Sequence, residues 1–161
     1  MATWPTVTDD DGSGTTGTIL DQALTNAIRD YIGAAWASVA FSAGNFTADS
    51  SMTWTVASGD VTTFAYVEIG KTMHIAIVVS STTVGGTPSQ ELRVAVPNGR
   101  TIQKTRYGPY GYTNNGTFGV GMWQAANGGT YIIFRINNGG TNWSASTDNT
   151  SILATVTIEI D

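Results

Sequence analysis

The feature that most constrains this chain is a change of hydrophobic period at Val39. Beyond it, apolar side chains recur at every second position. TMHIAIVV sets Met73, Ile75, Ile77 and Val79 on one face and His74, Ala76 and Val78 on the other; ELRVAV aligns Leu92, Val94 and Val96; SILATVTIEI aligns Ile152, Ala154, Val156, Ile158 and Ile160. This alternation belongs to a pleated strand with one face in a core. MTWTV, VTTFAYVEI, KTRYGPYGY, FGVGMWQA and TYIIFRI are further strand-like runs, and the clusters ASGD, VGGTPSQ, PNGR, TNNG, NGG and NNGGTN punctuate them as turns. Strands so short and regularly spaced predict a mostly β fold: eight or nine antiparallel strands in two packed sheets, a jelly-roll-like β-sandwich over residues 37–161.

Ahead of Val39 the period is helical. In ILDQALTNAIRDYIGAAW the apolar residues Leu20, Leu24, Ala27, Ile28 and Tyr31 recur at steps of three and four, and Thr18 with Asp21 forms a capping box. The spacing predicts one short α-helix within residues 18–36. At about fifteen residues such a helix is marginal in water unless its stripe packs on something. Leu20, Leu24, Ala27 and Tyr31 suit a seam between identical copies, or the helix packs beneath its own sandwich.

Residues 1–17 read as an extended arm. TDDDGSGTTGT joins three adjacent carboxylates to a Gly/Thr run and has too little apolar surface to order itself, while Trp4, Pro5 and Val7 give the outer end an apolar anchor. A calcium loop is the alternative reading, with Asp9, Asp11 and Ser13 at alternate positions. The twelfth position from Asp9 is Leu20, where such a loop needs a bidentate Glu, so a solvated tether is favoured.

Charge narrows the partners. Only 12% of residues are charged, about half the usual share. The net charge is −5, and most of it sits in residues 1–40, where five Asp face one Arg. An acidic front and a nearly balanced remainder argue against nucleic acid and anionic lipid, which need a basic field. The opening residues lack the basic and apolar regions of a signal peptide, and no run has the length of a membrane-spanning helix, so neither secretion nor membrane insertion is expected. The absence of Cys excludes a disulfide scaffold and thiolate metal ligation.

Catalytic chemistry finds little purchase. His74 is the only histidine and stands mid-strand, with no neighbouring carboxylate or serine constellation. A metal site is not expected from one His and no Cys, and no cofactor motif occurs. Asp49, Asp60, Glu68, Glu91, Asp148 and Glu159 are scattered rather than paired, so a glycosidase pair would have to assemble across strands. The aromatics offer a binding alternative. Tyr107, Tyr110 and Tyr112 lie close to Arg106, and Trp143 lies in the Asn-rich stretch NNGGTNW; flat rings beside such donors can stack on and hydrogen-bond a sugar. The competing expectation for the same rings is core or subunit interface.

WPTVTDDDGSGTTGTILDQALTNAI, then FSAGNFTADSSMTWTVASGDVTTFAYVEIGKTMHIAI and VAVPNG, resemble small bacteriophage virion proteins of the tail-fibre, head-fibre or capsid-decoration kind. The resemblance implies a virion location, an N-terminal arm mounted on another virion protein, a helical collar and a homotrimeric β-sandwich head. It implies a noncatalytic structural role. A lectin-like head binding host cell-surface glycan is the alternative, and a polysaccharide-degrading enzyme is less favoured.

Overall fold

A computed structural model describes residues 35–161 of the chain. The anchor Trp4, Pro5 and Val7, the calcium alternative Asp9, Asp11 and Ser13, and the seam Leu20, Leu24, Ala27 and Tyr31 all lie outside the described residues. Ala35 and Trp36, the end of the expected helical segment, belong to no helix or strand, and Trp36–Asp161 forms one compact unit.

Ten strands make up the unit: β1 (Ala37–Ser38), β2 (Phe46–Ala48), β3 (Met52–Thr55), β4 (Val61–Ile69), β5 (Thr72–Gly86), β6 (Leu92–Ala95), β7 (Arg106–Asn114), β8 (Thr117–Ala125), β9 (Tyr131–Arg135) and β10 (Ser146–Glu159). All are joined in one antiparallel sheet with the order β1-β4-β5-β10-β7-β8-β9-β6-β2, and β3 pairs with β5 beside that path. The expected mostly antiparallel β fold is therefore present, but continuous ladders join the strands where two separate sheets were expected. The reason lies in β5 and β10, which are 15 and 14 residues long and hold different neighbours along their lengths. β5 carries β4 on its first part and β3 on its second. β10 pairs with β5 through two register shifts and takes β7 on its other edge at Ser151–Leu153. Ser81 and Asp148 have left-handed backbone at these irregularities, where the strands bend.

The period-two pattern places the core as expected. Met73, Ile75, Ile77 and Val79 of β5 and Ile152, Val156, Ile158 and Ile160 at the end of the chain are all buried in one cluster with Leu92, Val94, Ile132 and Phe134. The one buried polar knot is complete. Thr82, fully buried, accepts the Trp54 indole N–H at 2.8 Å and donates to the Thr150 carbonyl at 2.9 Å. No buried side-chain polar atom among the described residues lacks a partner.

Candidate recognition surface

The β7–β8 hairpin turns at Asn115–Gly116, both with positive φ, the geometry that an Asn-Gly pair favours. Its register sets three large rings opposite three glycines: Trp123 faces Gly108, Tyr110 faces Gly121 and Tyr112 faces Gly119. A Cβ on Gly108 would fall 2.6 Å from the Trp123 ring, and one on Gly119 would fall 2.5 Å from the Tyr112 ring. The glycines are the seats on which the aromatic rings lie inside the sheet.

This arrangement corrects part of the sequence expectation. Tyr110 is 4% exposed, donates its hydroxyl to the Arg135 carbonyl at 3.1 Å and packs edge-on against Phe134; burial pushes its phenol well above the usual tyrosine range. Trp143 is 1% exposed, with its indole N–H directed at the Phe134 carbonyl and its ring T-shaped against Tyr112 at 5.5 Å. Tyr110 and Trp143 are core residues with no free face for a sugar, and the half-buried Tyr112 packs against the same cluster. Strand parity is the signal that separates them: positions 108, 110 and 112 of β7 point inward, so Tyr107 points outward.

Tyr107 is 56% exposed and begins a polar relay across the outer face. Gln124 Nε2 donates to its hydroxyl at 3.3 Å, Gln124 Oε1 accepts from Arg135, and Arg135 also bridges to Glu91, which pairs with Arg93 at 2.6 Å. Gln124, Arg135 and Glu91 come from β8, β9 and the residue before β6, and their meeting depends on register that no local motif displays. Arg106 is exposed at the end of β7 and pairs with Glu159, which Lys104 also holds at 2.8 Å. These two cations, Lys104 first, keep the Glu159 carboxyl below the usual carboxylate range.

Beside the relay the outer face becomes apolar. Leu153 of β10 stands opposite Gly111 of β7, which stands opposite Val120 of β8. Phe118 lies across this row, its ring edge 3.6 Å from where a Cβ on Gly111 would sit. Phe118 and Val120 are 69% and 68% exposed, and Leu153 is 46% exposed.

The remaining acids are individually engaged. Glu68 pairs with Arg100 at 2.9 Å and accepts from Asn98 at 3.1 Å; Asp49 accepts from Ser89 Oγ and the Glu91 amide; Asp60 accepts from the Ala57 amide; Asp148 accepts from Thr83. Half-buried His74 shares a 2.9 Å hydrogen bond with Thr157 across the β5–β10 ladder. Among the described residues no three His, Cys, Asp or Glu side chains gather as metal ligands, and no helix is long and apolar enough to cross a membrane. Comparison with known proteins finds no matching family model, no similar curated protein and no similar solved structure.

Proposed function

We propose that the chain is a noncatalytic structural protein of a phage virion, a homotrimer that displays its β head at a fibre tip or on the capsid. The head is a jelly-roll-like sandwich in which β5 and β10 pass between the two layers. Residues 1–17 mount it on another virion protein through Trp4, Pro5 and Val7, and residues 18–36 form the collar.

The observation that carries this reading is the outer face of the head. A satisfied core is turned wholly inward, while Phe118, Val120 and Leu153 stand together in solvent. A surface that exposes large apolar side chains side by side is built for contact. The ion pairs and hydrogen bonds that occupy the acids support a role without acid–base chemistry. The test is localisation: an antibody against residues 36–161 should decorate assembled phage particles at one fixed position. Signal confined to the unassembled soluble fraction would reject the virion role.

The lectin-like alternative is favoured by Tyr107, whose exposed ring lies beside the Gln124 amide and the Arg135 guanidinium. Such a ring with planar donors is suited to stacking against a pyranose and bonding its hydroxyls. On that reading Tyr107→Ala lowers glycan-array binding or host adsorption, whereas His74→Gln leaves it intact. Equal binding by the wild type and Tyr107→Ala would remove the alternative.

A further inference from the structure

We infer that the outward face of β4, β5, β10, β7 and β8 is the surface on which copies of this chain meet, with Leu153, Val120 and Phe118 at its centre. The inference rests on the self-association proposed above and assigns it a location in the head.

Register defines the face. Thr63, Val78, Leu153, Gly111 and Val120 form one straight row across the five strands, each directly opposite the next. Ala65, Ala76 and Thr155 make the row on one side, and Ser151, Thr113 and Phe118 the row on the other. None of these residues is charged, although the chain carries 19 Asp, Glu, Lys and Arg side chains. Five strands spaced about 4.8 Å apart and three rows deep cover roughly 500 Å², within the range of the largest surface patches on monomers, which are often functional. The first charges beyond it, Arg135 on β9 and Glu159 at the end of β10, are already ion-paired.

Charge selects the occupant. Around a symmetry axis equivalent side chains approach one another, so a charge on such a face meets its like and opposes assembly. A chain of net charge −5 therefore needs a charge-free face to associate with itself. Nucleic acid or anionic lipid would call for Lys or Arg at these positions, and a charged protein partner would call for complementary charge. The face supplies neither. It supplies small, hydroxylic and apolar side chains of a kind that can pack against their own copies.

The test uses the full chain. Mass by light scattering and sedimentation is measured for the wild type, for Val120→Asp and Leu153→Asp, and for Asn127→Asp as a charge control in the exposed β8–β9 turn. The expected result is an oligomeric wild type and control, with both face variants reduced to monomers that keep their β circular dichroism. Oligomers that survive Val120→Asp and Leu153→Asp overturn this face while leaving self-association standing. A monomeric wild type overturns both the face and the trimer.

Should the charged variants unfold, the absence of native Cys permits a milder measurement. In the assembled protein the thiol of Val120→Cys is expected to react about tenfold or more slowly than that of Asn127→Cys, as for any site that must open before it reacts. Equal labelling rates overturn the proposal.

Discussion

Phe46 and Phe64 lie near opposite ends of the strand order, one in β2 and the other in β4 next to β1, yet their ring centroids are only 5.8 Å apart. The sheet therefore curls until its two ends share a core. Trp54 of β3 completes the join, meeting Phe46 edge-on at 5.5 Å while its indole N–H reaches Thr82 of β5. What hydrogen bonds leave open between β2 and β3, aromatic packing closes.

That join depends on one hydroxyl. Thr82→Val keeps the shape but leaves the Trp54 N–H and the Thr150 carbonyl without their buried partner. We expect a loss of about 2 kcal/mol in urea unfolding, the usual cost of an orphaned buried polar group. Unchanged stability would mean that Trp54 and Thr150 have other partners.

Trp143→Ala is expected to act on stability first. Removing a fully buried Trp from between Tyr112 and the Phe134 carbonyl should cost about 3–5 kcal/mol. Phe118→Ala, at an exposed position, should change monomer stability by less than about 0.5 kcal/mol. Denaturant melts at equal protein concentration compare them, and a Trp143→Ala protein as stable as the wild type would contradict its burial.

The glycine seats predict a graded series. A Cβ on Gly121 would sit 2.4 Å from the Arg135 carbonyl oxygen and 2.6 Å from the Tyr110 ring, whereas a Cβ on Gly59 would meet nothing within 4 Å. Gly121→Ala should destabilise by about 1–3 kcal/mol through overpacking, and Gly59→Ala by little. Thermal melts of the two variants give the ranking, which equal melting temperatures would refute.

Acid should loosen the head through Glu68 and Glu159. Arg100, followed by Asn98, holds the Glu68 carboxyl below its ordinary value, and Lys104 and Arg106 do the same for Glu159. A carboxyl lowered in the folded state stabilises above its unfolded value of about 4.3, and that contribution is lost as pH falls through the folded value. The melting temperature should therefore drop between pH 5 and pH 3. Glu68→Gln should flatten part of the drop and cost at most about 1 kcal/mol at pH 7, the scale of an exposed pair. Identical acid limbs for wild type and variant would show that the pair does not contribute.

The strands that alternate strictly were legible in the sequence because one face had to be buried: Met73 to Val79 and Ile152 to Ile160 lie where their period places them. The turn expected at VGGTPSQ begins later than its glycines suggest. Val84, Gly85 and Gly86 continue β5, and a Cβ on Gly86 would fall 2.2 Å from the Ser51 carbonyl oxygen of the segment leading into β3. Composition signals a turn at such glycines, but here they allow a close crossing between chain segments far apart in sequence. β1 and β2, of two and three residues, are too short to show any period. The recognition surface was legible only at Tyr107 and Arg106. Gln124, Arg135 and Glu91 join it through cross-strand register, which depends on contacts between distant parts of the chain.

The last strand in chain order, β10, is also an interior one, lying between β5 and β7 with its side chains in the core. During synthesis β4, β5 and the β7–β8–β9 meander emerge with a gap where β10 belongs, leaving unpaired edges and apolar faces exposed until residue 159 has been made. A head of this topology closes late and through distant contacts, so it folds slowly and all at once. Premature termination within β10 would yield an aggregation-prone chain rather than a shortened head. The order of synthesis thus acts as quality control, since only chains translated through the end of β10 can complete the surface that meets their copies.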